Sequence, residues 1–247
     1  MEIGVAGTSV LFADLWEHYM LWSIVVSVIA FGWLFHHSFW FRSEDGKELS
    51  NVDGLAIGVF PLHNDDMRLE VTWTILPFIL IIWLTYVSWA PIDNMWAPLD
   101  DDEYHGSECD YASAAYTGSN NVMDSKGMVT SDCYHLIEIT GQQWFWSFDC
   151  LELDESLCYT ATDTLEVYGS VPVLGLKKGE TYLALMESED VTHAPWFLDL
   201  FTKEDVLQGQ QTLLWLPITD SGDSMILCAE YCGDAHSVMS GVLAVHN

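Results

Sequence analysis

The stretch Cys228-Ala-Glu-Tyr-Cys232-Gly-Asp-Ala-His236-Ser-Val-Met239 gathers two thiols, an imidazole and a thioether into twelve residues. A further imidazole, His193, lies 35 residues before Cys228 in Ser188-Glu-Asp-Val-Thr-His193. Thiolate and thioether are soft donors that suit Cu(I), and imidazole suits both oxidation states of copper. A single-copper electron-transfer site uses one cysteine, two histidines and a long axial methionine. A second cysteine in the same loop changes the expectation, because two thiolates can bridge two metals and leave one histidine for each. The set therefore fits a dinuclear copper centre. A tetrahedral zinc built from Cys228, Cys232, His236 and His193 is the competing use of the same residues. It leaves Met239 without a role.

The elements that must carry these residues are legible in the distribution of polarity. The chain has 247 residues, is 50% hydrophobic and carries a net charge of −30. Those two properties fit together only if they are segregated, and the long apolar runs do lie near the N-terminus. One runs from about Tyr19 to Phe41 and another from about Val71 to Ala90. Each is long enough to cross a bilayer core of ~30 Å at ~1.5 Å per residue. Neither has the basic start and small-residue cleavage site of a signal peptide. Arg42, Lys47 and Arg68 all lie between them, which places that loop inside and both termini outside by the positive-inside rule. From Tyr134 onward short apolar segments alternate with turn residues, the pattern of an all-β sandwich or barrel.

Together the copper loop, the two spans, the opening Glu70-Val-Thr-Trp-Thr-Ile-Leu-Pro77 and the aromatic run Gln143-Trp144-Phe-Trp146-Ser-Phe148 resemble subunit II of haem-copper cytochrome c oxidases, the subunit that bears copper A. Every element of that family's Cys-x-Glu-x-Cys-x3-His-x2-Met pattern is present. The resemblance implies a membrane-anchored all-β chain: a two-helix transmembrane hairpin followed by a cupredoxin-like Greek-key barrel or sandwich. The divisions expected are an outer-face segment 1–18, a hairpin 19–92 with an inner loop 42–70, an acidic linker and excursion 93–133, and a copper domain 134–247. In this reading Cys228 and Cys232 bridge the coppers, and His193 and His236 bind one each. Met239 and the backbone carbonyl of Glu230 are the weak ligands. The Glu230 carboxylate would help hold Mg or Mn at the contact with subunit I, since such hard ions take oxygen ligands. Trp144 aligns with the position where electrons enter, and Glu70 with the mouth of a proton pathway. Trp146 and Phe148 share Trp144's face at strand period and are read as packing.

The resemblance further implies electron transfer from cytochrome c or a small copper protein, through the copper pair, to haem in subunit I, where oxygen is reduced to water. Subunit I, other oxidase subunits and lipid are the expected partners, nucleic acid is not, and the plasma membrane of a prokaryote is the expected location, with the mitochondrial inner membrane as the alternative. A copper-A subunit of a nitric oxide reductase and a non-redox membrane-anchored copper-binding protein are the alternatives. Cys109, Cys133, Cys150 and Cys158 lie outside the copper loop and allow three disulfide pairings. Cys150 with Cys158 and Cys109 with Cys133 is the expected one. His18, His63, His105, His135 and His246 receive no role, and His36 and His37 are read as marking a membrane interface.

Overall fold

The computed structural model describes residues 7–40, 66–96, 104–113, 116 and 118–247. Arg42, Lys47, His63, most of loop 42–70 and the acidic run at 100–103 lie outside the described residues. The chain divides into two compact units, Leu15–Trp89 on one hand and Met1–Asp14 with Ala90–Asn247 on the other.

The first unit holds most of α1 (Gly7–Trp40) and α2 (Met67–Met95). Leu11–Trp40 and Met67–Met95 are long and apolar enough to cross a membrane. Side chains such as Ile29, Phe31, Trp33, Ile79 and Ile82 are exposed. Such a surface needs lipid or an apolar partner around it. Tyr19 and Ser88 share a hydrogen bond of 2.9 Å, and Trp22 meets Trp83 edge to face. Thr72, Thr74 and Thr85 each return their hydroxyl to the carbonyl four residues back, which satisfies these three donors within the helix. Asp66 caps α2 through bonds from the Arg68 and Leu69 amides, and Glu70 sits in the first turn, where a carboxylate suits the helix dipole.

Both helices begin earlier than the apolar runs they contain. Residues 7–18 are helical and open α1, because nothing between Val10 and Tyr19 breaks a helix. The resulting 34 residues span about 50 Å. Pro77 lies past the opening turns of α2 because the helix already begins at Met67.

Among the described residues, the second unit is built on thirteen short strands. One sheet orders β1 (Ser107–Glu108), β4 (Cys133–Gln142), β8 (Thr181–Ser188) and β11 (Thr212–Pro217), with β5 (Phe145–Asp149) also paired to β4. The other orders β10 (Thr202–Lys203), β9 (Pro195–Phe197), β12 (Gly222–Cys228), β13 (Ser240–His246), β7 (Gly169–Lys177) and β6 (Cys158–Leu165). β2 (Val122–Met123) and β3 (Val129–Thr130) form a separate ribbon. Alternate residues of the two sheets, among them Ile137 and Ile139, Leu174 and Leu176, Leu214 and Leu216, and Ile226 and Leu243, share one core. The sheets make a sandwich and do not close into a barrel. Both are mixed, since β4 lies parallel to β8 and β7 parallel to β13. The chain therefore crosses repeatedly between sheets, which carries its connecting loops around the ends of the sandwich.

Residues 104–133, read from the sequence as linker and exposed excursion, bury Cys109, His105, Ser119 and Val129. β1 extends the sheet beside β4, and the Cys109–Cys133 disulfide pins it there. Asn94 clasps Val129 with two bonds, its Nδ2 donating to the carbonyl and its Oδ1 accepting from the amide. Cys150–Cys158 closes the turn between β5 and β6. Both pairs are the expected ones.

Candidate metal centre

Strand register explains how His193 meets a loop 35 residues away. β9 begins two residues after His193 and runs antiparallel to β12, with Pro195 opposite Cys228. The His193 backbone is fixed on its other side by reciprocal bonds with Val206, 3.2 and 2.7 Å long. Cys228 ends β12 and Met239 immediately precedes β13, and the Cys228 amide donates to the Met239 carbonyl. Both ends of the loop are thus anchored in paired strands, while a 3-10 turn at His236–Val238 folds its middle back.

The donors form a compact cluster. Cys228 Sγ and Cys232 Sγ are 3.7 Å apart. His193 Nδ1 is 3.9 Å from Cys228 Sγ, and His236 Nδ1 is 3.6 Å from Cys232 Sγ. Met239 Sδ is 3.7 Å from Cys232 Sγ, and the Glu230 carbonyl is 3.2 Å from Cys228 Sγ. All six sequence-predicted ligands are brought together. Among the described residues, the ligand atoms of His193, Cys228 and Cys232 lie within 4.8 Å of one another, and His236 falls outside that group. A single tetrahedral zinc would need all four to converge. A central pair of thiols with an imidazole beside each, a thioether and a carbonyl fits two soft ions.

Without metal, burial and then the neighbouring Cys228 push the Cys232 thiol up to about 12. Metal binding must therefore expel the Cys232 proton. His193 is fully buried, with Nδ1 facing Cys228 and Nε2 donating to Asp190 Oδ1 at 2.8 Å. Burial acts to raise the Asp190 carboxyl, but bonds from the Gln143 amide and His193 outweigh it and hold it below its ordinary value. A carboxylate on the far nitrogen fixes the tautomer that leaves Nδ1 free for a metal. Sequence reading missed Asp190 as a partner of His193, although its position three residues before the histidine was the available signal. Asp190→Asn is expected to weaken copper binding by ~10–100-fold, the usual scale for such a partner, as measured by competition with a copper chelator.

Trp144 does not lie on the inner face with Trp146 and Phe148. The aromatic run is split by a turn at Gln143–Trp144 between β4 and β5, so period two stops before Trp144. Trp144 is 37% exposed, whereas Trp146 is 1% exposed. Trp144 Nε1 and Gln143 Nε2 both donate to the Cys232 carbonyl, at 3.1 and 2.6 Å. They lie over Gly233, where φ is +118° and a Cβ would come within 2.9 Å of Gln143 Nε2. Glu70 lies in the first turn of α2 and is not among the groups gathered here.

Residues 135–245 match the family model described as cytochrome c oxidase subunit II, periplasmic domain. That stretch, from β4 to β13, is similar to the periplasmic domain of cytochrome c oxidase subunit II. Over 171 residues, covering 69% of this chain and 39% of the relative, the chain is 29% identical to cytochrome c oxidase subunit 2 of Alkalihalophilus pseudofirmus. Over 210 residues, covering 75% of this chain and 56% of the relative, it is 23% identical to the subunit 2 of Synechocystis sp.. The chain thus spans about 39–56% of the length of these two relatives. Among solved structures, the periplasmic domain of cytochrome oxidase subunit II from Bradyrhizobium japonicum is similar at 22% identity, covering 45% of this chain and 83% of that one, with a TM-score of 0.39. A chain of a haem-copper terminal oxidase dimer is similar at 15% identity, covering 71% and 99%, with a TM-score of 0.40. The His193, Cys228 and Cys232 cluster and its neighbours all fall within the residues that match the subunit II domain.

Proposed function

We propose that this chain is the electron-entry subunit of a haem-copper oxidase and that its loop holds two coppers. The observation that carries this reading is the pair of free, buried thiols 3.7 Å apart with a different imidazole beside each. A copper pair bound there would exchange one electron at a time without making or breaking bonds. Cys228 and Cys232 would bridge, His193 and His236 would each hold one ion, and Met239 and the Glu230 carbonyl would complete the set. Loops pinned by β9, β12 and β13 keep these donors in place on oxidation and reduction, which favours fast transfer.

Trp144 is the entry point in this proposal. Its ring is open to a docking donor, cytochrome c or a small copper protein, and its N–H reaches the Cys232 peptide. From the copper ligands the electron would pass to haem in subunit I. The Glu230 carboxylate would help hold Mg or Mn against that subunit, and Glu70 would stand at the mouth of its proton path. The two helices would cross the plasma membrane of a prokaryote as a hairpin with the copper domain outside.

The test is to load the full chain, in detergent, with copper and count metal and hyperfine lines. Two coppers and a seven-line electron paramagnetic resonance pattern are expected from one unpaired electron shared equally by two nuclei. One copper with a four-line pattern would remove the dinuclear reading. Trp144→Ala is expected to slow reduction by the external donor by an order of magnitude or more, ~1.4 kcal/mol of barrier, with copper content unchanged. A parallel fall in copper content would make Trp144 a packing residue instead.

A further inference from the structure

Gly141 and Trp146 face each other across the β4–β5 hairpin. Residues directly opposite in an antiparallel pair project to the same face, and β4 buries His135, Ile137, Ile139 and Gly141 on its inner one. The inner side chain at 141 is missing, and the His193 imidazole fills its place. A Cβ on Gly141 would come within 2.9 Å of His193 Cδ2, 3.1 Å of Cγ and 3.3 Å of Cβ. Gly141 has no left-handed φ to explain it, so the glycine is required by this close approach and not by backbone conformation. The Trp146 ring meets the same imidazole edge to face, with centroids 5.8 Å apart at 68°. Its Nε1 has no hydrogen-bond partner among the described residues, so Trp146 contributes an aromatic wall and not a donor.

We propose that Gly141 and Trp146 form a notch that positions the His193 ring and so sets the His193 half of the metal centre. As a copper-site claim this rests on the function proposed above. As a claim about His193 it does not. Asp190 fixes the tautomer from the Nε2 side, while the notch fixes where the ring sits. The floor of the notch is also tied to the loop that carries the ligand. Gly141 pairs with Ser188 at the end of β8, and its carbonyl accepts the Glu189 amide at 3.0 Å. Strand β4 thus leads from the notch directly into the turn that presents Trp144, and the ligand and the entry residue share one support.

The test uses the full chain in detergent, first without metal. Diethyl pyrocarbonate modification of His193, read by peptide mass spectrometry, should be slow in the wild type, where the ring is 0% exposed. Gly141→Ala should raise that rate at least tenfold by forcing the imidazole out of its seat. Gly141→Ala with Trp146→Phe should return the rate most of the way, because thinning the opposite wall gives the ring room to shift. Trp146→Phe also removes an unpaired buried donor, which favours retention of the fold. With copper added, Gly141→Ala should lower affinity at least tenfold and change the hyperfine pattern, and the double variant should recover both. Unchanged modification and copper affinity in Gly141→Ala would overturn the notch, as would a double variant no better protected than the single one. A wild type that binds no copper, with His193 still unmasked by Gly141→Ala, would leave the notch standing and remove the copper reading.

Discussion

Replacing either Cys228 or Cys232 with serine is expected to end two-copper binding outright. Both thiols are buried, both are free, and they lie 3.7 Å apart at the centre of the donor cluster. A serine hydroxyl is a hard, protonated oxygen that does not replace a soft bridging thiolate. What remains is one cysteine, His193, His236 and Met239, the donor set of a mononuclear electron-transfer copper. Cys228→Ser and Cys232→Ser should therefore bind at most one copper and show four hyperfine lines in place of seven. Met239→Leu is the control. It removes a long, weak contact at nearly constant volume, so both coppers should stay and only the reduction potential should move. Two coppers with a seven-line pattern in either serine variant would refute bridging by this pair.

The ligands were readable because each is a rare residue type at a fixed spacing, and because thioether, thiolate and imidazole together suit few metals. The helices were readable because membrane length and apolarity leave little else for such runs to be. Register was harder. Nothing local says that Pro195 sits opposite Cys228, yet that pairing is what carries His193 to the loop. Strand periodicity correctly placed Trp146 and Phe148 inside, but it extended one turn too far and put Trp144 with them. The two-residue turn at Gln143–Trp144 carries no Asn-Gly or Asp-Gly to announce it. Gly141 carries no local signal of its role, because its reason, the imidazole of His193, lies 52 positions on in sequence. The excursion looked exposed for a similar reason. Its polar residues serve a buried partner, and composition alone cannot distinguish that from solvation.

That buried partner is Glu180, and Glu180→Gln is expected to be the most destabilising single charge removal in the β-rich unit. The Glu180 side chain is only 5% exposed. Its Oε2 accepts the Ser119 amide at 2.5 Å and His135 Nε2 at 3.0 Å, while Oε1 meets Lys177 Nζ at 3.2 Å. Tyr111 Oη bonds the other nitrogen of His135 at 2.7 Å, and Asn121 Nδ2 donates to the Glu180 carbonyl. One carboxylate thus ties Ser119 directly, and Tyr111 through His135, to β4 and β7. Burial alone would raise its pKa, but the bond from His135 and those from Ser119 more than offset this, and the carboxyl is held at about 2 against an ordinary 4.5. A lowered carboxyl contributes stability that is full above pH 4.5 and is lost as pH falls through 2. That difference corresponds to about 3 kcal/mol. The amide of glutamine cannot accept at both positions, would set an N–H₂ against a donor, and would leave Lys177 unpaired. The detergent-solubilised Glu180→Gln chain should therefore unfold roughly 10 °C earlier at pH 7. The gap to the wild type should narrow between pH 4.5 and 2, as the wild-type carboxylate takes up its proton. A gap that is absent at pH 7, or that persists unchanged to the acid limit, would show that the excursion is held by packing and its disulfide and not by this charge.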